Sequence, residues 1–127
     1  MEFVLREEAP GCVVLQCNGG LSWEARDHLA ASVEQYVQRR ESFRGLVIDM
    51  ASVEYVNSAG VGALFQVEQC VRAAGGCLTF AGTMPTIQRL LDTVGMQRMA
   101  NFAGDVPTAM TCLDERKSSQ TPVGAKR

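Results

Sequence analysis

The amino-acid sequence predicts an α/β fold: a single domain with a mixed β-sheet of four to five strands and about four helices packed on it. Short apolar runs of strand length alternate with longer segments in which apolar residues recur every three or four positions, a pattern typical of helices that pack on a sheet. The chain has 127 residues, 46% of them hydrophobic, which is enough for one buried core but not for a second domain. We expect residues 1–115 to form the domain and residues 116–127 to be a disordered tail, because no apolar periodicity follows Glu115.

The first part of the chain predicts a hairpin followed by a helix. Phe3–Glu8 and Cys12–Cys17 are short strand candidates on either side of Pro10-Gly11, a dipeptide that favours a turn. Ser22 can cap the helix that follows, and the helical pattern ends before Phe43. The apolar stripe of this helix consists of Trp23, Ala25, Leu29, Val33, Tyr36 and Val37.

A serine stands at the next junction between a strand and a helix. Gly45–Met50 is an apolar run of the kind found in strands buried on both faces, and a connector leads from it to Asn57 and Ser58. Apolar residues then recur at helical spacing, so Ser58 is expected at the start of a helix. The core stripe of this helix is predicted to be Gly60, Ala63, Leu64, Val67, Val71 and Ala74.

The second half of the chain repeats this alternation. Gly75-Gly76 ends the helical pattern, and Leu78–Ala81 is the next strand candidate. A helix over about Pro85–Val94 and a last strand over Ala100–Ala103 follow. Residues 105–115 are predicted to form a short terminal helix.

The helix face around Ser58 is predicted to be a docking surface. A phosphate on this serine would meet free N–H groups and the positive end of the helix dipole, so the position tolerates a double negative charge. At about 100° per residue, the side that carries the hydroxyl faces away from the core stripe. Two alternatives stay open: Ser58 can be no more than a helix cap, and a neighbouring segment can cover Val61 and Phe65. The residues on the hydroxyl side are Gly62, Phe65, Gln69 and Arg72, with Val61 at its flank.

Residues on both sides of this junction follow a recognisable pattern. The strand Leu46–Met50, the connector after it and the hexapeptide Asn57-Ser58-Ala59-Gly60-Val61-Gly62 together resemble the signature of the STAS domains, in particular the bacterial anti-sigma-factor antagonists. In that family an aspartate and a serine precede a small residue, a glycine, an aliphatic residue and a glycine or arginine. Gly19-Gly20-Leu21 resembles the family's turn before the first helix, and Gly75–Phe80 resembles its next strand. Pro85–Gly95 resembles the helix that follows.

The resemblance implies a binding protein that is switched by phosphorylation. Unmodified Ser58 and its helix would dock onto an anti-sigma factor that is a serine kinase of the ATP-binding type. Phosphorylation of Ser58 would end the docking, because the added charge opposes an apolar contact, and a serine/threonine phosphatase would reverse the step. The partner-binding residues expected from the motif and from the helix face are Asn57, Ser58, Ala59, Val61, Gly62, Phe65 and Gln69.

The alternative interpretation is a constitutive STAS subunit that braces a transporter ATPase or a stress-sensing scaffold. In that case Ser58 is only a cap and the helix face is a permanent interface. Asn57 bears on the choice, because antagonists commonly carry aspartate at this position. An amide lacks the charge that could orient the serine hydroxyl.

Charge and hydropathy argue against two classes of partner. The formal net charge is −2. Arg116, Lys117, Lys126 and Arg127 follow the last acidic residue, so residues 1–115 hold eight basic and 14 acidic residues, a formal charge of −6. An acidic body binds a phosphate backbone poorly, which argues against direct contact with nucleic acid. No apolar run approaches the roughly 18 residues of a membrane helix, and no basic segment leads into an apolar one near Met1, so we expect no membrane insertion and a cytoplasmic location.

No catalytic, cofactor or metal site is expected. The five cysteines lack the close pairing typical of a zinc site. His28 has no serine or cysteine at a catalytic spacing, and Asp49 with Glu54 is a carboxylate pair without a supporting cluster. Because no nucleophile, base and orienting group can be assembled from these residues, we expect that the protein is not an enzyme.

Overall fold

Strands and helices alternate along the chain in the predicted order. The computed structural model describes residues 2–38, 42–111 and 113. The strands are β1 (Glu2–Ala9), β2 (Cys12–Leu21), β3 (Gly45–Val56), β4 (Cys77–Ala81) and β5 (Asn101–Ala103). The helices are α1 (Trp23–Gln38), α2 (Ser58–Ala73), α3 (Pro85–Thr93) and α4 (residues 106–111), with a 3-10 turn at Met96–Arg98.

The strands form one mixed sheet in the order β1-β2-β3-β4-β5. β1 runs antiparallel to β2, with Phe3 opposite Cys17, whereas the remaining neighbours are parallel, with Ile48 between Leu15 and Phe80. These pairings confirm the predicted hairpin and the predicted mixed sheet. Parallel strands end at the same edge of the sheet, so the helices that follow them begin side by side there. Ser58 lies at this edge, because β3 ends at Val56 and α2 begins two residues later.

The sheet carries a buried cluster on each of its faces, because successive side chains of a strand point to opposite sides. Leu15 lies in the larger core cluster, which α1, α2 and α3 cover with residues such as Leu29 and Leu64. Its neighbour Val14 lies in a smaller cluster on the other face, where Ala109 and Leu113 cover it. Three helices therefore form one layer, and the segment that contains α4 covers part of the opposite side.

β3 is longer than predicted. The residues assigned to a connector, 51–56, continue the strand to Val56. Val53 and Val56 are buried, whereas the four residues around them, which include Ser52 and Glu54, are exposed. The sequence pattern missed this extension because its polar residues lack the strict alternation of a strand that is half buried.

β2 also runs further than predicted, so that the expected glycine-leucine turn is part of the strand. Its register with β3 shifts between Gln16 and Asn18 and again between Gly19 and Leu21, and Leu21 pairs with Val56. An added Cβ at Gly20 would overlap the ring of Tyr55. Glycine in a strand marks such a close approach as often as it marks a turn, which explains the error.

The buried face of α2 differs from the prediction at its carboxyl end. The first five members of the predicted core stripe are buried, whereas Ala74 is exposed. The helix ends at Ala73 and Gly75 takes a φ of +82°, so Ala74 lies beyond the last turn. Glu68 is buried instead, with 4% of its surface exposed.

The terminal helix begins where it was predicted. The carboxylate of Asp105 accepts a hydrogen bond from the Thr108 N–H at 2.8 Å, and hydrogen bonds from the Thr108 side chain and backbone lower the pKa of Asp105. Residues 106–111 are helical. The predicted end of this helix near residue 115 and the predicted tail, residues 116–127, lie outside the described residues.

Candidate functional site

α2 begins with a side-chain cap that comes from Asn57 and not from Ser58. Asn57 has an extended backbone, its Oδ1 accepts a hydrogen bond from the Gly60 N–H at 2.9 Å, and its carbonyl accepts one from the Val61 N–H at 2.9 Å. The Asn57 N–H donates in turn to the Leu21 carbonyl at 3.1 Å. Asparagine is among the best capping residues. Ser58 therefore does not supply the side-chain cap that one of the alternatives assigned to it.

Ser58 is the first residue inside the helix, and it is exposed. The N–H groups of Ser58 and Ala59 belong to the first turn, where helix geometry offers no carbonyl partner. The first turn of α2 holds no acidic residue. A phosphate on this hydroxyl would meet these N–H groups and the positive end of the helix dipole without a like charge in the same turn.

Gly60 holds the start of α2 close to the end of β2. Its Cα lies so near the backbone of Leu21 that an added Cβ would overlap the Leu21 carbonyl oxygen. This is the same carbonyl that accepts the Asn57 N–H. The sequence had placed Gly60 on the core stripe, where its small size had no assigned role, and the structure gives the steric reason for the glycine.

An apolar groove adjoins the serine on one side. It has a volume of about 490 Å³ and lies between the start of α2 and the end of α3. Leu90 and Val94 of this second wall are absent from the predicted partner-binding set, although Val94 is 41% exposed. In the sequence Val94 is only an apolar residue just past the end of a short helix. The fold brings Val94 into the same groove as Ser58. The groove is lined by Val56, Asn57, Ser58, Val61, Leu90 and Val94.

The predicted docking residues divide between this groove and the outer side of α2. Asn57, Ser58 and Val61 line the groove. Phe65 is half-buried and packs on the larger core cluster, as Val61 does, so each presents only part of its side chain. The outer side of α2 consists of Ala59, which is half-buried, Gly62, beside which an added Cβ would find open space, and Gln69, which is exposed.

The other polar groups considered in the sequence lie apart from this site. Asp49 Oδ1 accepts a hydrogen bond from the Ala51 N–H at 3.1 Å, and Glu54 is exposed on β3.

Burial, with a smaller contribution from the charge of Asp49, raises the pKa of the Cys17 thiol to about 12. Burial also raises the pKa of Cys70, whose thiol faces the Ala30 carbonyl. Both thiols are therefore protonated at neutral pH.

Neither a metal-binding cluster nor a membrane-spanning helix is present among the described residues. Within residues 2–38, 42–111 and 113, no three histidine, cysteine or acidic side chains lie close enough together to hold a metal ion. Among the same residues, no helix combines the length and the apolar character needed to cross a membrane.

Comparison with known proteins identifies the domain type. The family model of the STAS domain matches residues 4–109. A search of curated proteins found no match.

Solved structures with the same fold come from regulators and from a transporter. A variant of RsbS from Moorella thermoacetica has a TM-score of 0.78 at 15% identity, with 93% of this chain and 99% of that chain covered. The anti-sigma factor antagonist SpoIIAA, solved in unphosphorylated form and, from Bacillus, in phosphorylated form, gives TM-scores of 0.66 and 0.69 at 16% identity. These alignments cover 91% and 88% of this chain and 98% and 99% of the SpoIIAA chains. The murine anion transporter Slc26a9 has a TM-score of 0.73 at 16% identity, with 86% of this chain and 18% of that chain covered.

Proposed function

Because the chain belongs to the STAS domain family, we propose that it is an anti-sigma-factor antagonist whose docking is controlled at Ser58. In this proposal the unmodified protein binds an anti-sigma factor that is a serine kinase, and phosphorylation of Ser58 releases it. A serine/threonine phosphatase restores the binding form. The protein itself acts by binding and catalyses no reaction.

The observation that carries the proposal is that Ser58 is exposed and lines an apolar groove. Because the Asn57 side chain caps the helix, α2 does not need this hydroxyl for its first turn. The serine is therefore available for modification without loss of the cap. SpoIIAA, a protein of the same fold, exists in an unphosphorylated and a phosphorylated form, which supports phosphorylation as a means of control in a protein of this fold.

The groove gives the physical reason why a phosphate would end the docking. Most of its wall consists of aliphatic side chains from two helices, among them Val61 and Leu90. A partner that filled it would remove water from the neighbourhood of Ser58. A phosphate adds a charge of about −1.5 to −2, and the cost of taking this charge out of water opposes the contact. The isolated domain needs little rearrangement, because the helix end itself tolerates the anion.

A constitutive STAS subunit is the second candidate function. The murine transporter Slc26a9 contains a region with this fold. Asn57 also favours this candidate, because the capping amide leaves no carboxylate beside the serine. In this case the groove would be a permanent interface, and Ser58 would remain unmodified.

The deciding experiment is mass spectrometry of the protein after incubation with the cognate anti-sigma-factor kinase and ATP. The antagonist function predicts one added phosphate, which maps to Ser58 and is absent from Ser58→Ala. Ser52→Ala is the matched control, since Ser52 is an exposed serine on β3, and this variant should be phosphorylated normally. A complex that forms while no phosphate appears would favour the constitutive subunit, and a phosphate on another residue would contradict the assignment to Ser58.

A further inference from the structure

A second cavity lies at the carboxyl end of α2. Its volume is about 210 Å³, several times the share of about 30 Å³ that one water molecule occupies in the liquid. The last turns of α2, the start of β4 and the segment around the 3-10 turn form its walls. Glu68, which lines it, is ten residues from Ser58, about 15 Å along the helix axis. The cavity is therefore separate from the serine site.

A buried carboxylate lines this cavity. The Glu68 side chain is 5% exposed, and its Oε1 makes no hydrogen bond within the part of the chain that the structure describes. Glu68 forms an ion pair with Arg72, whose Nη2 lies 3.5 Å from that oxygen and whose side chain is 63% exposed. Leaving a buried carboxylate oxygen without a donor is costly, so the group is suited to a ligand that brings an N–H.

Two arginines line the cavity together with Glu68. Arg72 and Arg98 both line it, together with the polar side chains of Gln97 and Asn101. Its charged lining thus comprises two cations and one anion. A ligand that is only a cation would be repelled by the arginines, and a ligand that is only an anion would leave Glu68 Oε1 without a donor.

We propose that this cavity binds a small zwitterion of the α-amino acid class. The ammonium group of the ligand donates to the carboxylate of Glu68, and its carboxylate accepts hydrogen bonds from Arg72 and Arg98. The planar, fixed donor geometry of arginine suits a carboxylate, and the pairing satisfies the buried oxygen of Glu68. This site is independent of Ser58 and of the proposed antagonist function.

The test is an NMR titration of the full ¹⁵N-labelled chain with three separate probes at millimolar concentration: L-alanine, acetate and methylammonium. L-alanine should give saturable shifts of backbone amides in the carboxyl end of α2 and in residues 97–101. Acetate carries only the carboxylate of the ligand and methylammonium only its ammonium group. Each should therefore bind at least roughly tenfold more weakly than L-alanine.

Two variants each remove one of the charged groups that would bind the ligand, and a third variant serves as the control. Glu68→Gln removes the buried charge, and Arg98→Gln removes an exposed one, so a loss of folding in the first still leaves the second informative. Either change should weaken L-alanine binding roughly tenfold. Glu54→Gln alters an exposed carboxylate on β3 and should leave binding unchanged. No saturable shift with L-alanine, equal binding of acetate, or undiminished affinity in Arg98→Gln would overturn the proposal.

Discussion

Single residues at the start of α2 determine how closely this helix approaches the sheet. Asn57 satisfies the Gly60 N–H and anchors the helix to Leu21, while Gly60 has no side chain that would keep the two segments apart. Gly62, two residues later, has open space beside it. Two glycines in the same helix therefore have opposite roles, and a pair of identical substitutions separates them.

We expect Gly60→Ala to destabilise the protein and Gly62→Ala to stabilise it slightly. In the first variant the new methyl group overlaps the Leu21 carbonyl, and strain of this kind costs about 1–3 kcal/mol. In the second, alanine improves helix propensity by up to about 1 kcal/mol without a clash. Urea unfolding of both variants measures the difference. Equal stability of the two would contradict the close approach of α2 to β2.

Cys17 should resist alkylation in the native protein. Its thiol is buried, and its pKa is raised to about 12, so the reactive thiolate is scarce at pH 8. The same shift implies a loss of stability as the pH rises from about 9 through about 12, because the unfolded chain releases this proton first. Iodoacetamide labelling followed by mass spectrometry, with a urea-unfolded sample as the control, checks the prediction. Rapid native labelling of Cys17 would be inconsistent with its burial.

At the scale of elements, hydrophobic spacing predicted which segments are helices and which are strands, but it could not predict how elements meet. The start of α2 near Ser58 could be predicted from helical spacing, since buried residues such as Leu64 and Val67 lie three or four positions apart. The extension of β3 over residues 51–56 could not be predicted in this way. Two exposed residues separate Val53 from Val56, so buried and exposed positions do not alternate as they do in a regular strand. The wall that α3 adds beside Ser58 depends on contacts distant in sequence, so Val94 could not be identified as part of the site.

A lysine in the groove should weaken binding to the kinase partner. Val94 is exposed at the end of α3, where a positive charge suits the helix dipole, so Val94→Lys should keep its fold while placing a charge in the apolar contact. Calorimetry should show roughly tenfold weaker binding. Val4→Lys, on exposed β1, is the matched control and should bind normally. Normal binding by Val94→Lys would mean that the partner does not enter the groove.

Gly62→Leu tests the outer side of α2 in the same assay. The open space beside Gly62 accepts a leucine without a clash in the free protein, and leucine favours helix more than glycine does. The side chain would project towards a bound partner, so the complex should weaken while the melting temperature is kept. A loss of folding, or full affinity for the kinase, would count against a docking surface at this position.

At the scale of the whole molecule, the sheet has helices on both faces, but the two coverings differ in size. α1, α2 and α3 bury the larger cluster, while Ala109 and Leu113 complete the smaller one. The leucine contacts Gly45 on β3, where an added Cβ would overlap its side chain. The domain therefore needs its chain at least as far as residue 113.

Truncation after Glu115 should leave the melting temperature nearly unchanged, because the removed residues lack apolar periodicity. Leu113→Ala in the full chain is the informative comparison. This side chain is 2% exposed, and its truncation should cost about 2 kcal/mol or more. Thermal unfolding followed by circular dichroism measures both. A large drop in the melting temperature of the truncated chain would show that the tail packs on the domain.

The most direct test of the account is calorimetric measurement of the affinity of the cognate kinase for the unmodified protein, for the Ser58-phosphorylated protein and for Ser58→Ala. Because Asn57 supplies the helix cap, Ser58→Ala should fold and bind as tightly as the unmodified protein. The phosphorylated form should bind at least roughly 100-fold more weakly, since the charge of the phosphate would have to leave water beside the groove. Equal affinity of the phosphorylated and unmodified forms would contradict control of docking at Ser58.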